Sequence, residues 1–132
     1  MGMQGTDELY CRLRNRIIEH LELVTSAEEQ LAYQNAAPIA HVADELFNAW
    51  GDWVADEDAI REFSLPVISA EEQLAVREFN QVLESVAART ARELPDITEF
   101  IGTAPWQELS SAAARALAVF RVRGLSPEAG AI

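Results

Sequence analysis

The stretch IAHVADELFNAWGDWV, residues 39–54, carries the clearest periodic signal in the chain. Ile39, Val42, Ala43, Leu46, Trp50 and Trp53 recur at three- and four-residue steps, with Phe47 and Val54 at the edge of the stripe. His41, Asp44, Glu45, Asn48 and Asp52 fall on the opposite side. A 3.6-residue period with one apolar face is that of a helix packed on a core. The spacing therefore predicts a helix over 39–54 with its tryptophans in the core, where large rings leave water.

Toward the N-terminus, Pro38 interrupts any helix coming from upstream, so the chain kinks or restarts there. Ser26-Ala27-Glu28-Glu29 reads as a capping box: the serine hydroxyl accepts from the amide of Glu29, and the glutamate reaches back. A helix is expected from there toward Asn35. Before it, Leu9, Leu13, Ile17, Leu21 and Val24 form another stripe, opened by Thr6-Asp7-Glu8 and ending near Thr25.

Toward the C-terminus, Asp56-Glu57-Asp58 caps a short helix through Phe63, and Leu65-Pro66-Val67-Ile68 is an extended connector. Ser69-Ala70-Glu71-Glu72 is a second capping box. The helix after it aligns Val76, Phe79, Val82, Leu83, Val86 and Thr90, and the pattern stops near Leu94-Pro95. One short turn of helix is expected over Asp96 to Ile101, stopped by Gly102. Thr103-Ala104-Pro105 then opens a long helix through Trp106, Leu109, Ala113, Ala116, Leu117 and Phe120. Gly124 stops it, and residues 126–132, like residues 1–5, are expected as frayed tails. No alternating segment is long enough for a strand. The fold class is all-α: one domain over residues 1–132, a helical bundle of about four long helices plus two or three short ones.

The heptapeptide SAEEQLA occurs twice, at 26–32 and 69–75, but the copies diverge immediately afterwards. Each residue in it suits a helix N-terminus, so it is one capping solution reached twice and not a structural repeat.

Composition narrows the function classes. The chain of 132 residues has a net charge of −12, and all ten of its basic residues are arginine. That usage, with abundant alanine, fits a GC-rich bacterial gene and an expected cytoplasmic location. The N-terminus has neither the basic nor the apolar region of a signal peptide. Residues 17–60 carry ten acids and no Arg or Lys. Such a field repels nucleic acid and anionic membranes, so neither is expected as a partner, and it steers basic proteins inward.

Chemistry-bearing motifs are few. The two histidines, His20 and His41, form no ligand-spaced pair, and His20 sits in the apolar stripe, where a buried, hydrogen-bonded imidazole is expected. Cys11, the one cysteine, excludes an intramolecular disulfide and reads as a packing residue despite Arg12, Arg14 and Arg16 around it. Nucleophile elbows and phosphate loops are absent from the sequence. No catalytic, metal or cofactor residue is assigned, and no cofactor is expected.

Three readings remain. The leading one is a non-enzymatic module that binds a basic protein through an acidic helical face of Asp44, Glu45, Asp52, Asp56, Glu57 and Asp58. Inhibitors of the immunity or antitoxin kind act this way, by analogy of charge and size alone. The alternative is a ligand-binding or enzymatic bundle with an inter-helix pocket near Trp50, Trp53 and Trp106. The third is a homo-oligomeric structural protein joined through an apolar helix face.

Overall fold

The structure, a computed structural model, describes residues 5–54, 57–63, 67–90 and 93–126. Among these residues it is all helix. The order is α1 (Gly5–Thr25), α2 (Ala27–Ala36), α3 (Val42–Trp53), α4 (Glu57–Arg61), α5 (Ala70–Arg89), α6 (Ile97–Phe100) and α7 (Ala104–Arg121). The three longest, α1, α5 and α7, make the frame: α7 packs against both α1 and α5, and α3 lies against α1. No described helix is long and apolar enough to cross a membrane. Asp56, the connector residues Leu65 and Pro66, and the tails 1–4 and 127–132 lie outside the described residues.

The punctuation follows the expected chemistry at Ser69, Thr103 and Gly124, while Ser26 forms only half of its box, without a return bond from Glu29, and α1 starts at Gly5, ahead of Thr6. Ser26 Oγ accepts from the Glu29 amide at 3.1 Å. Ser69 makes the complete capping box, with Ser69 Oγ accepting from the Glu72 amide and Glu72 Oε1 accepting from the Ser69 amide. Thr103 caps α7 with Pro105 in its first turn. Gly124 takes φ 74°, the left-handed conformation that ends α7.

The core is built from the anticipated stripes, with three corrections. Ile17, Leu21, Val24, Val42, Leu46, Trp50, Val76, Phe79, Leu109, Leu117 and Phe120 are buried. Leu9 is largely exposed, although Tyr10 and Cys11 beside it pack on the body. Ile39 is fully exposed, since α3 begins at Val42 and the Pro38 turn swings Ile39 away from the helical stripe. Trp53 is 37% exposed at the last residue of α3, although Val54 beside it is buried in the core.

A polar thread crosses this core. His20 Nε2 is 3.0 Å from the Leu46 carbonyl oxygen, and its ring lies 5.8 Å from that of Trp50. Trp50 Nε1 donates to Asn80 Oδ1 at 3.1 Å, while the Trp50 ring meets Phe79 edge-on at 4.7 Å. Burial pushes the His20 imidazole below its ordinary pKa, against the opposing effect of the Leu46 carbonyl. The histidine is thus a neutral core hydrogen-bonding group, as its position in the stripe implies.

Candidate docking groove

α5 and α7 run antiparallel. Arg89, at the end of α5, pairs with Glu108, near the start of α7, at 2.7 Å. Glu72, at the start of α5, pairs with Arg123 just beyond α7. The residues between the two axes are small: Ala75 on α5, and Ala112 and Ala116 on α7. Small residues let helices approach closely and leave nothing tall to fill the outer side of the crossing. A groove of about 520 Å³ opens there, and its floor includes Ala75, Phe79, Val82, Ala112 and Val119. Leu74 beside them is 52% exposed. The groove walls carry Glu71 and Glu78 from α5, and Glu108 and Arg115 from α7. Glu71 and Val119 also line a second recess of about 540 Å³, shared with Val122 and Arg123, so the trough continues toward the N-terminus of α5. Val122 in that recess is 85% exposed.

Behind this end of the trough lies the most developed polar cluster of the protein. Arg14, 1% exposed, donates to both carboxylate oxygens of Glu72, at 3.1 and 2.8 Å. Its guanidinium also bonds the carbonyls of Phe120 and Gly124 and the Ser126 hydroxyl. The guanidinium carbon lies over the Phe120 ring, 5.3 Å from its centroid. Arg123 approaches the same carboxylate from the solvent side and donates to the Val67 carbonyl. Burial alone would raise the Glu72 pKa. Hydrogen bonds from Arg14, Arg123 and the Ser69 amide outweigh it and hold the group at about 2. Asn15 exchanges two bonds with the Ser126 backbone, so the residue from which a frayed tail was expected is clasped onto α1. The cluster fixes the end of the groove: Arg14 and Glu72 are turned inward, while Arg123 shares the Glu72 carboxylate from the rim of the second recess.

The acids anticipated as a face on α3 and α4 differ in their surroundings. Asp44 and Glu45 are half-buried in the first turn of α3, and Asp52 is exposed near its end. Asp44 accepts from His41 Nδ1 at 2.7 Å, and Asp58 pairs with Arg61 at 3.2 Å. Glu57 opens α4, and Asp56 lies outside the described residues. Two of these acids thus already have a basic neighbour within the chain. Nor do the three tryptophans share partners. Trp50 is tied to Asn80 in the core, Trp106 Nε1 donates to Gln30 Oε1 at 2.9 Å, and Trp53 faces solvent.

Sequence reasoning missed both the groove and the Arg14 cluster. A signal for the cluster existed: Arg14 falls on the same helical face as Cys11, Ile18 and Leu21, and an arginine in an apolar stripe calls for a buried anion. The groove has a fainter one, since Leu74 lies outside the Val76–Phe79–Leu83 stripe and Val119 outside the Leu109–Ala116–Phe120 stripe.

Comparison with protein-family models, curated proteins and solved structures finds no match to this chain.

Proposed function

We propose that this chain is a non-enzymatic protein-binding module whose docking surface is the α5–α7 groove, and that its partner presents a basic surface with apolar side chains. The observation that carries the reading is the coincidence, in one open trough, of apolar side chains and unequal charge. Exposed Leu74 and Val122 and half-buried Val82 and Val119 lie along it, and three carboxylates to one guanidinium line the main groove. Contiguous apolar surface exposed to water marks a surface that something covers. The net charge of −12 adds a long-range field that speeds the approach of a cationic protein.

The acids of α3 and α4 are the competing docking face, and one experiment separates the two. Immobilised wild-type protein, a Glu71→Arg/Glu78→Arg variant and a Glu45→Arg/Asp52→Arg variant are exposed to extract of the source organism at low and high salt. The captured proteins are identified by mass spectrometry. The groove reading expects a basic protein held by the wild type and by the Glu45/Asp52 variant, lost on reversal of Glu71 and Glu78, and weakened by salt. Loss confined to the Glu45/Asp52 variant would move the site to α3 and α4. Equal capture by all three would remove both faces.

A further inference from the structure

We infer that the segment received by the α5–α7 groove is an amphipathic α-helix with basic residues at positions i and i+7 along one flank; this rests on the protein-binding reading above.

The shape of the trough comes first. Its lining from α5 recurs at Glu71, Leu74, Glu78, Val82 and Ser85, and from α7 at Glu108, Ala112, Arg115 and Val119. Each set is one stripe of one helix, and the two helices are antiparallel, so the trough runs parallel to both axes. With the second recess it reaches from Ser85 back to Ser69. At 1.5 Å per residue that is ~24 Å, or about four turns of a docked helix. A rod laid in the valley between two helices is the ordinary way a third helix packs.

Backbone chemistry then selects helix over extended chain. A strand buried in this trough would need partners for its own N–H and C=O groups. The floor offers alanine, valine, leucine and phenylalanine side chains, and the backbone groups beneath them are occupied in the ladders of α5 and α7. A helix satisfies its own backbone and needs only apolar contact, which is what the floor supplies.

The seats and charges set the pattern. Leu74 and Val82 are eight residues apart on α5, ~12 Å, which suits apolar residues two turns apart on the incoming helix. Glu71 and Glu78 stand on the same wall seven residues apart, ~10.5 Å, the separation of positions i and i+7. Glu108 is already engaged by Arg89. Arg115 on the opposite wall favours an acid on the other flank of the incoming helix, which fixes its direction. A second copy of the chain fits less well, since each copy brings a net charge of −12 to the contact.

The test uses three fluorescent synthetic peptides of about 18 residues, the length that fills the trough. The first carries leucines on one face and arginines at i and i+7. The second has the same composition scrambled so that no apolar face forms. The third replaces the arginines with glutamates. Binding is followed by fluorescence anisotropy, and helix formation by far-ultraviolet circular dichroism. The expected result is binding of the first peptide at least about tenfold tighter than either control, as one missing anchor or charge pair commonly produces. Helix content should rise on binding, and Leu74→Asp and Glu71→Arg/Glu78→Arg should each weaken the contact about tenfold. These side chains are exposed, and thermal melts of both variants verify that the fold is kept. Equal binding of the patterned and scrambled peptides, lost on reversal of Glu71 and Glu78, would overturn the helix while leaving a basic partner standing. Absence of binding by all three would overturn it as well, with the capture experiment deciding the broader reading separately. A concentration-dependent dimer in sedimentation, abolished by Leu74→Asp, would give the groove to a second copy and overturn it too.

Discussion

Arg14 of α1 and Glu72 of α5 meet inside the protein as a two-point ion pair across 58 residues of sequence, each with a side chain no more than 2% exposed. A buried pair of this kind adds little net stability when intact, because both ions left water to form it. Broken on one side, it leaves a charge stranded. Glu72→Gln is therefore expected to destabilise the fold by about 3–5 kcal/mol in urea titrations. A cost under about 1 kcal/mol would show that Arg14 finds sufficient partners in the Phe120 and Gly124 carbonyls and Ser126.

Acid should act on the protein in two stages. His20 has a folded pKa below its ordinary 6.5, so the unfolded chain binds its proton first. The stabilisation from a neutral His20 is complete above pH 6.5 and declines as pH falls through that value. Glu72 is held at about 2 against 4.5, so its contribution is complete above 4.5 and is lost between there and about 2, on the order of 3 kcal/mol. Unfolding free energies measured from pH 7 to 3 should fall along both limbs. His20→Gln should flatten the upper limb and leave the lower one; an unchanged upper limb would assign it to another group.

The two serine caps should not be equivalent. Ser26→Ala is expected to cost about 1 kcal/mol, the usual loss of one capping bond. Ser69→Ala should cost more, about 2 kcal/mol: the Ser69 amide still donates to the Glu72 carboxylate, but losing the hydroxyl that accepts from the Glu72 amide loosens the turn that holds this carboxylate against Arg14. Thermal melts of the two single variants compare them directly, and equal shifts would show that the Ser69 hydroxyl plays no part in placing Glu72.

Gly51 lies within α3, and a Cβ built there meets nothing within 4 Å. Gly51→Ala should raise stability by about 0.5–1 kcal/mol through the unfolded chain's lost freedom. A decrease would reveal a contact at the end of α3.

Helix positions were legible because caps, prolines and the 3.6-residue period are local signals. The start of α3 was placed three residues early because Ile39 continues the apolar spacing, although the Pro38 turn decides where it points. Trp53 likewise fits the stripe but is 37% exposed, while Val54, at the edge of the stripe, is buried. Arg14 shows the other limit: its anion lies in a helix more than fifty residues away, and no local pattern names it. The two SAEEQLA copies show the same dependence on context. Glu29 is exposed while its counterpart Glu72 is the buried anion, and Gln30 is fully buried while Gln73 is half-exposed. Both glutamines nevertheless donate to carbonyls of the segment before their helix, Gln30 to Leu23 and Val24 and Gln73 to Phe63 and Ile68. The groove was hidden for a related reason: antiparallel pairing of α5 with α7, and not the pattern of either helix, makes one trough of Leu74, Val82 and Val119.

The clasp of Arg14 on Glu72, Gly124 and Ser126 also orders events during synthesis. As the chain is made, Arg14 precedes its anion by 58 residues, and a carbonyl and a hydroxyl it bonds by 110 and 112. At about 5–20 residues per second, the ribosome keeps α1 without these partners for several seconds. During that interval, burying the face of α1 that carries Arg14 would enclose an unmatched cation, a cost that opposes early collapse on that face. The guanidinium that closes the finished fold thus cannot complete its set of partners until residue 126 has been made.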